Sequence, residues 1–133
     1  MPGVSAGLGV SRVVLRMAKV GACLPAASGH TEAFVFPSQY EGFGIPIVEA
    51  MSCGCPCHIS RASCFPGIAL DAAEYFDPGD VDSMSSSIAR VLSSPERRAQ
   101  LISGGHLRSR EFSWDRTASR TLGVYRLAQA SRA

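Results

Sequence analysis

From residue 33 onward, apolar positions come in short bursts divided by turn residues. Ala33-Phe34-Val35-Phe36 is an unbroken apolar run stopped by Pro37-Ser38, the pattern of a parallel strand buried on both faces. Gly42 and Gly44 bracket Phe43, and Pro46 suits a first helical turn, where its missing N–H costs nothing. Ile47, Val48, Ala50 and Met51 then predict a short helix that stops at Gly54. Cys55 to Ile59 reads as a second strand with Pro56 at its start, and Ser60 to Ala69 reads as a loop. Ala73 to Phe76 is a third strand, closed by the turn Asp77-Pro78-Gly79-Asp80. Asp80 is placed to cap a helix with Val81, Met84, Ile88, Val91 and Leu92 on one face. Ser94-Pro95 opens another helix, carrying Leu101 and Ile102 and expected to break near Gly104-Gly105. Ser113 opens the last, with Trp114, Ala118, Thr121, Leu122, Tyr125 and Ala128 along one side.

Strands alternating with helices predict an α/β domain with a parallel sheet. Three strands are fewer than the five or six of a doubly wound nucleotide-binding sheet, so the pattern reads as the second half of one. Residues 1–29 supply no strand–helix–strand series. Val10, Val13, Val14 and Met17 have helical spacing there, but Arg16 and Lys19 interrupt any secretory apolar core. The expected organisation is a leader over 1–29 and a partial domain with a helical tail over 30–133.

Composition narrows the function. The chain has 133 residues, 46% of them apolar and 18% charged, which suits one small globular domain. Its net charge of +2 rests on bases scattered along helices, without the clustered Lys/Arg and interleaved aromatics of a nucleic-acid binder. No run of about 18 apolar residues suggests a membrane span. Five cysteines, an odd number without a secretory signal, favour reduced thiols in the cytosol. Cys53, Cys55 and Cys57 followed by His58 offer zinc-ligand chemistry, yet a single tight Cys-x-Cys-x-Cys run lacks the paired knuckles of zinc sites, so these thiols are expected to act as small hydrophobes.

The stretch Tyr40-Glu41-Gly42-Phe43-Gly44-Ile45-Pro46-Ile47-Val48-Glu49 concentrates the candidate chemistry. In an open parallel sheet, ligands sit beyond the carboxyl ends of strands, where helix N-termini present free N–H groups and a positive dipole end to anions. A phosphate or diphosphate is the natural guest. Glu49, about one turn into the helix, leans back toward the same crevice, and its two oxygens can accept both hydrogens of a vicinal diol. Glu41 can accept hydroxyls from a second polyol. Amides for a diphosphate with carboxylates for sugars on either side describe a nucleotide sugar. The plainer alternative makes Glu41 a solvated loop residue and Glu49 a first-turn acid worth roughly 0.3–1 kcal/mol through the dipole.

The segment FVFPSQYEGFGIPIVEAMSCGCPC resembles the signature of the retaining transferases of glycosyltransferase family 4, whose GT-B architecture sets two Rossmann-like domains face to face. The likeness continues through the tail from FDPGDVDSM to TLGVYR and spans roughly residues 33–127. It implies that this chain is the incomplete C-terminal half of a donor domain, with Glu41 as the catalytic-site residue that contacts the donor sugar. Glu49 would bind the ribose. Gly42, Phe43 and Gly44 would lie against the sugar and diphosphate, with backbone amides from the loop and from Ile45 to Ile47 stabilising charge that grows on the leaving group. The implied partners are a nucleoside-diphosphate sugar and a glycan or lipid-linked acceptor, with mannosyltransferase-like members of polysaccharide assembly the nearest in wording. No metal and no cofactor is implied, because the sequence offers no acidic metal clamp. Same-face attack, assisted by the leaving phosphate, would retain configuration without a side-chain nucleophile, so Ser38, His58 and the cysteines are expected to be loop or packing residues.

Two departures from the family pattern stand out. In FPGIALDAA, Gly67 and Leu70 replace the usual Glu and Gly, and Leu70 would be strained if its backbone required a positive φ. The acceptor-binding domain and the early donor-domain strands are also missing, so little transferase activity is expected of the chain alone. The rival readings are a non-catalytic interaction module or half of a split enzyme, and a sugar-nucleotide epimerase of the same architecture. The open sheet edge and the apolar side of the C-terminal helix would favour association. The expected location is cytoplasmic, at most peripheral at a membrane.

Overall fold

A computed structural model describes residues 32–131. The leader over 1–29, with its expected helix and Cys23, lies outside the described residues. Three parallel strands, β1 (Phe34–Phe36), β2 (Cys57–Ser60) and β3 (Ala73–Phe76), pair in the order β1-β2-β3. Phe34 faces Cys57 across one seam, and His58 faces Glu74 across the other. β2 is buried at every residue, as befits the central strand of a parallel sheet. The strand begins at Cys57 rather than Cys55, because Pro56 has no N–H to donate; its carbonyl instead accepts from Phe34 N at 2.8 Å.

The described residues form five α-helices, α1 (Ile45–Ser52), α2 (Phe65–Ala69), α3 (Val81–Leu92), α4 (Pro95–Ser109) and α5 (Trp114–Ala130), of which α1 to α4 pack around the sheet. A 3-10 turn, Leu70–Ala72, joins α2 to β3. The caps are those read from sequence. Asp80 Oδ1 accepts from the backbone N–H groups of Asp82 and Ser83, Ser94 Oγ from that of Arg97, and Ser113 Oγ from that of Arg116, each worth about 1 kcal/mol.

Two expectations are corrected. The stretch expected as a loop from Ser60 to Ala69 contains α2, because Phe65, Ile68 and Ala69 fall at helical spacing and all are buried. Phe65 packs edge-on against Phe36 with ring centroids 5.5 Å apart. The break expected at Gly104-Gly105 does not occur, and α4 runs through it. A Cβ on Gly105 would stand 3.3 Å from Met51 Cγ, so the missing side chain serves close approach of α4 to α1.

The core is built from Ile47, Met51, Ile59, Phe65 and Ala69 around the centre of the sheet. α5 contributes no buried residue. Trp114, Leu122 and Tyr125, on its expected apolar side, are all exposed, Trp114 by 80%. Glu74 ties β3 to both neighbouring helices through Arg90 on α3 at 2.8 Å and Arg97 on α4 at 2.9 Å.

His58 is fully buried at the middle of β2. Its Nδ1 lies 3.5 Å from Ser87 Oγ, and its Nε2 has no hydrogen-bond partner. Burial disfavours the imidazolium and lowers its pKa to about 4, aided by Arg90 and opposed by Glu74. The depressed folded value means that neutral His58 contributes fully above about pH 6.5. As pH falls from there toward 4, the unfolded chain takes up a proton that the folded chain refuses. Equilibrium unfolding at a series of pH values is therefore expected to show a loss of up to about 3 kcal/mol over that window, which His58→Leu abolishes. Leu70, half-exposed, holds φ +50°, a conformation that costs a β-carbon-bearing residue about 1–3 kcal/mol. Leu70→Gly is expected to stabilise by about 1 kcal/mol after the glycine entropy cost, seen as a rise of a few degrees in thermal melting.

Candidate functional site

Because the strands are parallel, the loops that follow them gather on one edge of the sheet. The β1–α1 loop, residues 37–44, is anchored from beneath: Ser60, the last residue of β2, donates its hydroxyl to the Ser38 carbonyl. Ser38 Oγ lies 3.2 Å from both the Tyr40 carbonyl and Glu41 Oε1, so it steadies the Glu41 carboxylate, which is otherwise exposed.

The β2–α2 loop grips the same segment from the side. Ser63 Oγ donates to the Glu41 carbonyl at 2.9 Å and lies 3.5 Å from the Glu41 N–H. The Cys64 thiol lies 3.2 Å from the Phe43 carbonyl and 3.4 Å from that of Glu41. Phe43, 41% exposed, meets Phe112 edge-on at 5.5 Å. Arg108 stacks on Phe112 at 4.8 Å while donating to the carbonyls of Ile68 at 2.7 Å and Gly67 at 2.9 Å. Phe43, Arg108, Arg116 and Arg120 border a cleft of about 390 Å³ beside the loop.

Gly44 precedes α1 with φ +95°. A Cβ there would come within 3.1 Å of Ile47 Cδ1 and 3.3 Å of Phe65 Cδ1, so both conformation and space call for glycine. No side chain caps α1. Gly42 and Ile45 are exposed on either side of this turn. Glu49 is the fifth residue of α1, past the first turn, where a carboxylate gains little from the helix dipole. Its Oε2 is buried without a hydrogen-bond partner. A buried carboxylate oxygen with no donor carries a desolvation cost that nothing among the described residues offsets. A hydroxyl-bearing ligand would offset it.

Glu41, Gly42, Phe43, Gly44, Ile45 and Glu49 thus fall on one loop and the helix it feeds, at the carboxyl edge of the sheet. The residues that orient them, Ser38, Ser63, Cys64, Arg108 and Phe112, were not singled out by motif. The available signal was weak: small hydroxyl and thiol residues directly after a buried strand. The buried thiols of Cys55 and Cys57 are structural. Burial pushes Cys55 up to about 11 and Cys57 further still, which disfavours the thiolate that nucleophilic or metal chemistry needs. His58 and Ser87 are equally sealed in the interior. No described helix is long and apolar enough to cross a membrane.

Comparison with known proteins gives this geometry its context. The family model described as "Glycosyl transferases group 1" matches residues 17–108. O-antigen chain mannosyltransferase B of Escherichia coli is 38% identical over 104 residues, covering 78% of this chain and 27% of that protein. MMP alpha-(1->4)-mannosyltransferase of Mycolicibacterium hassiacum is 38% identical over 111 residues, 80% of this chain and 27% of its own. Among solved structures, sucrose-phosphate synthase from Thermosynechococcus elongatus superposes with a TM-score of 0.72 at 27% identity, over 79% of this chain and 27% of that one. The chain thus spans about a quarter of the length of the proteins it matches.

Proposed function

This chain belongs to the group 1 glycosyl transferases, and from that premise we propose that its carboxyl-edge loops form the donor half of a retaining transferase site of glycosyltransferase family 4. The donor is a nucleoside-diphosphate sugar, and the acceptor, a glycan or lipid-linked sugar, is engaged by the whole protein. Mannose is the proposed sugar, supported by the names of the two relatives above. The outer edge of β1, unpaired among the described residues, and α5 are the surfaces through which further polypeptide is proposed to pack.

The observation that carries the reading is Glu49 Oε2, one turn into α1, buried and without a partner among the described residues. An atom in that state accepts a hydrogen bond from a ligand more cheaply than any solvated oxygen, because its desolvation is already complete. A ribose diol supplies two hydroxyl donors. Glu41, exposed and steadied by Ser38, is proposed to contact the donor sugar, with Gly42 and Phe43 against it.

The chemistry assigned to these groups is electrostatic. As the bond from the sugar to the diphosphate breaks, negative charge accumulates on the leaving phosphate. The amides of Gly42, Gly44 and Ile45, aimed at that charge before the reaction begins, lower the barrier without reorganising. The acceptor hydroxyl oxygen bonds to the sugar's anomeric carbon on the face from which the phosphate departs and gives its proton to that phosphate, so configuration is retained and no side chain acts as a nucleophile.

Titration calorimetry with GDP, UDP and ADP tests the ribose contact. The unsubstituted chain is expected to bind at least one of these more tightly than its 2′-deoxy counterpart. Glu49→Gln is expected to weaken the ribonucleotide by about tenfold to a hundredfold, the worth of a charge-assisted hydrogen bond, and to erase the 2′-deoxy difference. The same substitution should leave the melting temperature unchanged or higher, since it replaces a carboxylate whose buried oxygen has no donor among the described residues. A 2′-deoxy difference that persists in Glu49→Gln would refute the assignment.

A further inference from the structure

Ser63 lies in the β2–α2 loop at φ +51°. That left-handed backbone is one in which glycine is comfortable and a residue with a β-carbon is strained. The side chain is exposed, so packing does not account for a serine there. What the hydroxyl does is bracket Glu41, donating to its carbonyl at 2.9 Å and lying 3.5 Å from its N–H. The next residue, Cys64, directs its thiol at the Phe43 carbonyl, 3.2 Å away. Two successive side chains therefore hold alternate carbonyls of the Glu41-Gly42-Phe43 segment.

A trans peptide unit is planar, with its N–H pointing opposite to its C=O. The Glu41 carbonyl shares a peptide plane with the Gly42 N–H, and the Phe43 carbonyl shares one with the Gly44 N–H. Drawing both carbonyls toward the β2–α2 loop turns both amides away from it. Neither amide donates to a described residue. Glycine at both positions leaves these planes free to rotate, since no β-carbon restricts them, so something outside the loop must fix their direction.

We infer that Ser63 and Cys64 are positioning residues of the donor site, holding the Glu41 and Phe43 carbonyls so that the Gly42 and Gly44 amides are preset toward the diphosphate. This rests on the donor-site reading above. The two side chains touch neither sugar nor phosphate and act only through the peptide planes they hold. Without them the glycine planes sample both directions, and ligand binding must supply the ordering that the hydrogen bonds now provide. The thiol is the weaker donor of the two, so the serine carries the larger share.

The test separates positioning from fold stability. Ser63→Gly removes the hydroxyl and also relieves the backbone strain, so it is expected to melt at the same or a higher temperature. It is nevertheless expected to bind the preferred nucleotide among GDP, UDP and ADP about three- to tenfold more weakly, the worth of one neutral hydrogen bond. The same loss is expected with the 2′-deoxy counterparts, because it concerns the diphosphate and not the ribose. Cys64→Ala should show a smaller loss that Cys64→Ser, which keeps a donor, restores. Equal affinity of Ser63→Gly and the unsubstituted chain would overturn the proposal while leaving the donor site intact. Failure of the folded, unsubstituted chain to bind any of the three nucleotides would remove the donor site and this proposal together.

Discussion

The parallel pairing of β2 with both of its neighbours is the constraint on which the ligand-facing edge depends. Because all three strands run the same way, the loops at 37–44, 61–64 and 77–80 leave the sheet at one end and become neighbours. The end of β2 stitches them together. Ser60 donates its hydroxyl to the Ser38 carbonyl on one side, and Arg61 donates its amide to the Phe76 carbonyl at 2.8 Å on the other. A one-residue slip of β2 would exchange Cys57 and Ile59 with His58 and Ser60 between the two faces of the sheet. The relative position of the loops is thus inherited from the core.

Much of the fold was legible because its signals are local. Capping side chains, apolar runs and the Asp77-Pro78-Gly79-Asp80 turn each act within a few residues, and all three strands were found from those signals, β2 starting two residues later than they put it. The two errors share a cause. Phe65-Pro66-Gly67 has the chemistry of a turn, yet burial of Phe65 beneath the β1–α1 loop makes it helical. Gly104-Gly105 has the chemistry of a stop, yet Met51 uses the space it leaves. In each case a tertiary contact decides between two readings that the local residues allow equally.

The site follows the same division. Glu41 and Glu49 announce themselves by spacing along one segment, as does the glycine turn between them. Ser63 and Cys64 reach back across 22 and 21 residues to the Glu41 and Phe43 carbonyls, and a hydrogen bond to a backbone atom leaves no trace in the spacing of side chains. The concern over Leu70 was legible for the opposite reason. The family pattern has glycine where this chain has Leu70, and steric limits on φ belong to the residue itself, so strain followed wherever the backbone required a positive φ; the structure has it at φ +50°.

The contact of Gly105 with Met51 also bears on how this edge can move. At 3.3 Å from where a β-carbon would stand, the base of α1 sits in a notch on α4, seated against backbone rather than against side chains that could change rotamer. A helix held this way can neither slide along its neighbour nor roll against it without a collision. Glu49 is fixed by this seating of helix on helix, and Glu41 by the hydrogen bonds that Ser38, Ser63 and Cys64 make to its side chain and carbonyl. The two carboxylates are thus held by different kinds of contact, one by steric fit and the other by directional bonds.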